Sequence, residues 1–199
     1  MINTRLAAKQ TVLWLLSGGS AISVAVEAAS HVISDTSKLT VGLIDERYGP
    51  PAHSDSNWYQ LESAGFKVTG AKMKPMITGL DVEQTADSYN HFIKSAANYD
   101  YRIGLLGIGT DGHIAGILPG SPALVSSKFV DFYQGPDYQR VTLTAKGLDR
   151  LDKVVVYAAG DGKKTALENL VRNLEPSQQP AQLLKRLDDV DVYNDVIGD

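Results

Sequence analysis

Apolar and polar positions fall in blocks along this chain, and two periods take turns. Thr11–Leu16, Leu39–Ile44, Tyr101–Leu106 and Val154–Ala159 are continuous apolar runs of strand length. A strand that is apolar on every side has both faces covered, which is how strands of a parallel sheet between helices read. Between these runs the apolar residues recur every three or four positions. The stretch 22–33 predicts a helix with Ile22, Val26, Ala29 and Ile33 on one face, and Val82–Ala97 predicts a longer one. Shorter helices are expected over Trp58–Ala64, which leads into the run Phe66–Thr69, and over Lys163–Leu174 and Ala181–Leu187. Arg140–Thr144 adds a strand and Val190–Tyr193 a last short or edge strand. The pattern loosens through Ser121–Tyr138, and Pro176–Pro180 is a linker of a few residues. Strands alternating with helices predict an α/β fold around a mostly parallel sheet. With no internal repeat and 199 residues, one domain over 1–199 is expected.

Composition changes this picture mainly by exclusion. A net charge of −4 with no Lys/Arg run argues against a nucleic-acid surface. The chain has no cysteine, so disulfides, thiolate nucleophiles and cysteine-ligated metals are excluded. Arg5 and Lys9 ahead of Thr11–Leu16 trace the outline of a signal peptide. That run stops at Ser17-Gly18-Gly19-Ser20, however, and Glu27 sits where apolar residues would have to continue, so a buried strand is the better reading. No segment approaches membrane-spanning length, and the cytoplasm is the expected address.

Candidate chemistry concentrates just after the strands. Leu105–Gly120 sets Gly107, Gly109 and Gly112 around Asp111 and His113 and ends at Pro119-Gly120. Gly107-x-Gly109-x-x-Gly112, with Asp131 about 20 residues on, has the form of a dinucleotide fingerprint. That motif needs a long helix at once, and Pro119-Gly120 leave room for only about six residues. Ser17-Gly18-Gly19-Ser20 leads from a strand into a helix N-terminus, where free amides and the dipole form an anion seat; a serine cap without a ligand is the alternative. Arg47, in Asp45-Glu46-Arg47, can fork onto a phosphate or pair internally with Asp45 or Glu46. Lys163, after Gly160-Asp161-Gly162, is either a point charge for a phosphate or a solvated lysine at a helix end. Ligands of an open α/β sheet bind outside the carboxyl ends of its strands, so these clusters are expected to converge. His113 alone among the four histidines lies in a glycine turn beside a carboxylate. Asp111 and His113 as shared metal ligands are a weak signal, and no metal is expected.

As a set these motifs resemble the 6-phosphogluconolactonase family, which belongs with glucosamine-6-phosphate deaminase/isomerase in one superfamily. The resemblance rests on Ser17-Gly18-Gly19-Ser20, Asp45-Glu46-Arg47 with Pro50 and Ser56-Asn57, Gly107–His113 with Pro119, and Arg140-Val141-Thr142-Leu143-Thr144. It runs from about residue 11 almost to the C-terminus. It implies a Rossmann-like three-layer sandwich, no cofactor, and hydrolysis of 6-phospho-D-glucono-1,5-lactone in the pentose phosphate pathway. By the same resemblance His113 is the general base, Asp111 orients it, and Asp45 is a second catalytic carboxylate. Arg47, Lys163, Arg140 and the turn Ser17, Gly18, Gly19, Ser20 then hold the phosphate. The expected partner is a small phosphorylated sugar lactone, with no nucleic acid and no membrane, and the expected assembly is a monomer or weak homodimer. Three features depart from the family pattern: Ala21-Ile22 after the serine turn, Gly116-Ile117-Leu118 for the usual Ser-Leu-Phe, and only ten residues before the first strand. Amino-sugar isomerases carry an acidic residue immediately before the Pro-Gly, where this chain has Leu118, although Asp45 persists as a carboxylate able to take a proton from a sugar carbon. An isomerase or deaminase of amino-sugar phosphates is therefore the second reading. A sugar-phosphate sensor is the third, and residues 1–10 cannot hold the helix-turn-helix such a sensor uses.

Overall fold

The structure, a computed structural model, describes residues 1–33 and 35–197. The domain expected over 1–199 also takes in Ser34, Gly198 and Asp199, which lie outside the described residues. Strands β1 (Val12–Leu16), β2 (Leu39–Leu43), β3 (Asp45–Arg47), β4 (Lys72–Lys74), β5 (Tyr101–Leu106), β6 (Val130–Gln134), β7 (Gln139–Leu143), β8 (Lys153–Ala158) and β9 (Val190–Asn194) alternate with helices. The helices are α1 (Ile2–Ala7), α2 (Ala21–Ser30), α3 (Asn57–Ser63), α4 (Val82–Ser95), α5 (Ala145–Leu148) and α6 (Lys164–Leu170).

Among the described residues, six strands form the main sheet in the order β4-β2-β1-β5-β8-β9, every neighbouring pair parallel. Every residue of β1 and β2 is buried, as continuous apolar runs require. The chain winds outward from β1 towards β4, then returns to β5 and winds the other way. Right-handed crossovers in opposite directions place their helices on opposite faces, giving the three layers. The order reverses between β1 and β5, and that reversal opens a crevice at their carboxyl ends.

A second sheet, β3-β7-β6, is antiparallel and small. One residue welds it to the first: the Ile44 N–H donates to Leu16 O at 2.8 Å, and Ile44 O accepts from Leu143 N at 2.8 Å. Strand β6 runs through Ser121–Tyr138, where the pattern loosens, and β3 is polar throughout, so neither carries an apolar strand signal. The Arg140–Thr144 strand is found, but in this sheet, as β7.

Other boundaries move for identifiable reasons. Helix α2 stops at Ser30, so Ile33 is 85% exposed, and the buried stripe is Ala21, Ala25 and Ala29. Phe66 and Val68 are buried beside the sheet, but the strand in that region is β4. Helix α6 ends at Leu170, well before Leu174, and Asp161–Lys163 ahead of it is a 3-10 turn. The segment read as a helix over Ala181–Leu187 is a 3-10 helix, Pro180–Arg186, buried from Pro180 to Leu184. The apolar run that outlines a signal peptide is the inner strand β1. Among the described residues no helix is long and apolar enough to cross a membrane.

Candidate active site

A cleft of about 250 Å³ opens at the reversal point between β1 and β5. Of the residues expected from the sequence to act in catalysis or to hold the phosphate, all but Asp111 line it: Ser17, Gly18, Gly19, Ser20, Asp45, Arg47, His113, Arg140 and Lys163. Asn57, Thr110 and Ala115 join them. A larger apolar hollow lies between α1 and α2 against Trp14, Ile103 and Leu105; it brings together none of these charges.

Asp111 lies outside the lining but is bonded to His113. Its Oδ1 accepts from the His113 backbone N–H at 3.1 Å and lies 2.6 Å from His113 Nδ1. The tight turn Gly109–His113 is closed by Gly109 N to His113 O, 2.8 Å, and Gly112 N to Gly109 O, 2.9 Å. Two glycines are needed there for different reasons. Gly112 has φ +81°, a left-handed conformation that favours glycine. At Gly109 the constraint is space: a Cβ would sit 2.1 Å from His113 Nδ1 and 2.6 Å from Asp111 Oδ1. Burial alone would raise the Asp111 pKa, but the His113 N–H and the charge of its imidazole outweigh it and hold the carboxyl below its ordinary range. With Nδ1 engaged by Asp111, Nε2 is the ring nitrogen left for a substrate.

Strand β3 supplies the opposite wall. Its alternation sends Asp45 and Arg47 towards the cleft and Glu46 to the other side. Glu46 Oε1 accepts from the N–H groups of Arg47 (2.8 Å) and Asn57 (2.6 Å), and Oε2 from Ser56 Oγ (2.8 Å) and Trp58 N (3.1 Å). Those bonds fasten the start of α3 to β3 and so set the place of Asn57. Asn57 Nδ2 then donates to Asp45 O at 2.9 Å and Oδ2 at 3.3 Å, while Ser17 Oγ donates to Asp45 Oδ1 at 3.1 Å. Gly18 leaves the room for Asn57, since a Cβ on it would lie 2.0 Å from Asn57 Oδ1. Burial raises the Asp45 pKa; the Ser17 hydroxyl and the charges of Arg140, His113 and Arg47 pull against it. The sequence places Asn57 in a motif, Ser56-Asn57, without a task of its own. The signal for it was the pairing of a glycine turn at 18 with a polar residue just after a serine cap.

Cations occupy the remaining walls. Arg47 and Arg140 are cross-strand partners in β3 and β7. The Arg47 guanidinium donates to Asp55 O at 3.0 Å, and among the described residues neither Asp45 nor Glu46 holds it in an ion pair. Arg140 Nη2 holds Asp137 at 2.9 and 3.0 Å, whereas its buried Nε has no hydrogen-bond partner among the described residues. Lys163 stands at the head of α6, half-buried and facing the cleft. Helix α2 begins at Ala21 with no side-chain cap from Ser20, and the first N–H groups of a helix have no partner within it. The serine turn that leads into that helix, two arginines and a lysine thus line one cleft. Among the described residues no group of three or more His, Asp or Glu side chains is placed to hold a metal ion.

Fold and site together define a doubly wound α/β protein with a cationic crevice at the reversal point and a hydrogen-bonded His–Asp pair beside it. The chain belongs to the family described as glucosamine-6-phosphate isomerases/6-phosphogluconolactonase, whose model matches residues 1–192. It is 31% identical over 182 residues to a 6-phosphogluconolactonase of Synechocystis sp., covering 85% of this chain and 76% of that protein. A glucosamine-6-phosphate deaminase of Lactobacillus johnsonii is 29% identical over 204 residues, covering 94% and 84%. Among solved structures, 6-phosphogluconolactonase from Thermotoga maritima superposes with a TM-score of 0.80 at 23% identity, over 98% of this chain and 91% of that one.

Proposed function

We propose that this protein is a hydrolase that opens 6-phospho-D-glucono-1,5-lactone to 6-phosphogluconate. The observation that carries the reading is His113 locked through Nδ1 onto Asp111 at 2.6 Å, facing a crevice walled by Arg47, Arg140 and Lys163. The phosphate sits among those cations and the amides that open α2, which fixes C1 of the lactone near His113. His113 Nε2 takes a proton from water as the water oxygen bonds to C1. The tetrahedral intermediate then breaks its bond from C1 to the ring oxygen, and the imidazolium returns the proton to that oxygen. An imidazole suits both steps, because its reference pKa of about 6.5 lies near working pH. Asp111 fixes the ring's orientation and supports its charged form. Asp45, held by Ser17 and Asn57, offsets part of the positive charge in the crevice. The substrate is a small sugar phosphate, the chain acts as one domain, and its setting is the cytoplasm as a monomer or weak homodimer.

Identity alone does not separate the two activities in this family, since relatives of both kinds match about equally. Leu118 favours the lactonase. It stands where isomerases carry the acid that assists ring opening, it does not line the cleft, and leucine cannot hold a proton. The deciding experiment assays the purified protein on freshly made phosphogluconolactone, with spontaneous opening subtracted, and on glucosamine 6-phosphate. Lactone hydrolysis that falls roughly 100-fold or more in His113→Asn, with no ammonia from the amino sugar, is the expected result. Ammonia release that scales with protein and disappears in His113→Asn would overturn the assignment.

A further inference from the structure

Two parts of the crevice come from stretches far apart in the chain: the His113 turn after β5 and Lys163 at the head of α6. One side chain bridges them. Gln179 is 3% exposed, too buried for a surface glutamine without a task. Its Cγ lies against Gly112, only 2.4 Å from where a Cβ would stand on that glycine. From there its Nε2 donates to Ala166 O of α6 at 2.6 Å. Its Oε1 accepts from Gln182 Nε2 at 2.6 Å, and that same nitrogen donates to Asn169 O at 2.9 Å, one turn further along α6. Backbone bonds fix the strap that carries Gln179: Ala181 N donates to Gly112 O of the same turn at 2.9 Å, and Gly120 N, beyond the turn, to Ser177 O at 2.9 Å. The glutamine pair is therefore a spacer between the turn that holds His113 and helix α6, which Lys163 immediately precedes.

We propose that Gln179 is a positioning residue that sets the span between the general base and the phosphate anchor, and so makes turnover depend on the phosphate of the substrate. The proposal rests on the lactonase reading. A phosphorylated lactone held by Lys163 presents C1 to His113 only when that span fits, and misplacement by about 1 Å costs up to a hundredfold in rate. An unphosphorylated lactone uses no phosphate anchor and tolerates a changed span.

The test compares Gln179→Met, which keeps length and bulk and removes both hydrogen bonds, on phosphogluconolactone and on unphosphorylated gluconolactone. On the order of a tenfold fall in kcat is expected for the first, with the second changed less than about twofold. Combined with Lys163→Ala, Gln179→Met should cost little more on phosphogluconolactone, because the anchor it positions is gone; independent effects would multiply. Equal losses on both lactones, no loss at all, or full additivity with Lys163→Ala would overturn the spacer role. Should Gln179→Met fold poorly, Gln182→Met leaves the contact with Gly112 intact, and it must show the same split at smaller size. A parent protein inactive on phosphogluconolactone removes the lactonase reading itself, and the spacer role with it. An active parent with an indifferent Gln179 removes only the spacer.

Discussion

Gly109→Ala probes the catalytic pair through empty space and removes no functional group. The added methyl would lie 2.1 Å from His113 Nδ1, 2.2 Å from His113 Cε1 and 2.6 Å from Asp111 Oδ1. Ordinary contact begins near 3.4 Å, so the imidazole must retreat by about 1.3 Å or turn off its carboxylate. Gly109 is not among the left-handed glycines, so alanine adopts its backbone conformation without strain. The turn is also closed by backbone bonds that the methyl leaves alone. The result should be a folded protein with a misaimed base. Displacement of this size costs roughly a hundredfold in turnover, equivalent to about 2.7 kcal/mol of transition-state stabilisation, while Tm moves by only a few degrees. Steady-state hydrolysis of phosphogluconolactone, run beside a thermal melt, reads both quantities. Activity within about threefold of the parent would refute the reasoning, because the pair could then not need its present geometry.

Three further substitutions address the charges. Arg47→Ala and Lys163→Ala should each raise KM for phosphogluconolactone by roughly ten- to a hundredfold, the scale of a lost charge-assisted hydrogen bond, and alter hydrolysis of the unphosphorylated lactone less than about twofold; equal damage to both substrates would refute the anchoring role. For Asp45 the sign follows from its raised pKa: the native state binds that proton more tightly than the unfolded chain, so ionisation costs stability above the unfolded value of about 4 and nothing below it. Asp45→Asn should therefore gain Tm over the parent near pH 7, a gain that shrinks as pH falls towards about 4, and melts showing a pH-independent difference would contradict it.

Inner strands β1, β2, β5 and β8 were legible because burial on both faces leaves unbroken apolar runs. Strand β4, Lys72-Met73-Lys74, was not, since an edge strand with exposed lysines carries no apolar signal. Strand β3 was hidden for the opposite reason. Asp-Glu-Arg is as unlike a buried strand as three residues can be, and it is buried because each charge has a partner or faces the crevice. On α2 the periodicity picks Ala29 but takes Ile22 and Val26 in place of Ala21 and Ala25, the other two alanines of the buried stripe. The Ser17–Ser20 turn, Asp111, His113 and Lys163 could be named because they lie in or beside glycine turns at strand ends, whereas Arg140, inside β7, came only with the family resemblance. What joins them could not, as Asn57 and Gln179 act through contacts between distant segments that spacing along the chain does not record.

Ile44, which bonds to one sheet through its N–H and to the other through its carbonyl, also limits how this chain can vary in length. A single residue inserted between Leu43 and Asp45 would shift β3 by one place and reverse its faces. Glu46 would then turn into the crevice, and Asp45 would meet the start of α3 with a side chain one carbon too short for its four donors. Both changes come from one event, so no intermediate length keeps the crevice while the helix adapts. The loop from Gly49 to Ser54 is bound by no such parity and can absorb insertions. Length variation among functional relatives of this protein should therefore begin beyond Arg47 and leave the three residues before it untouched.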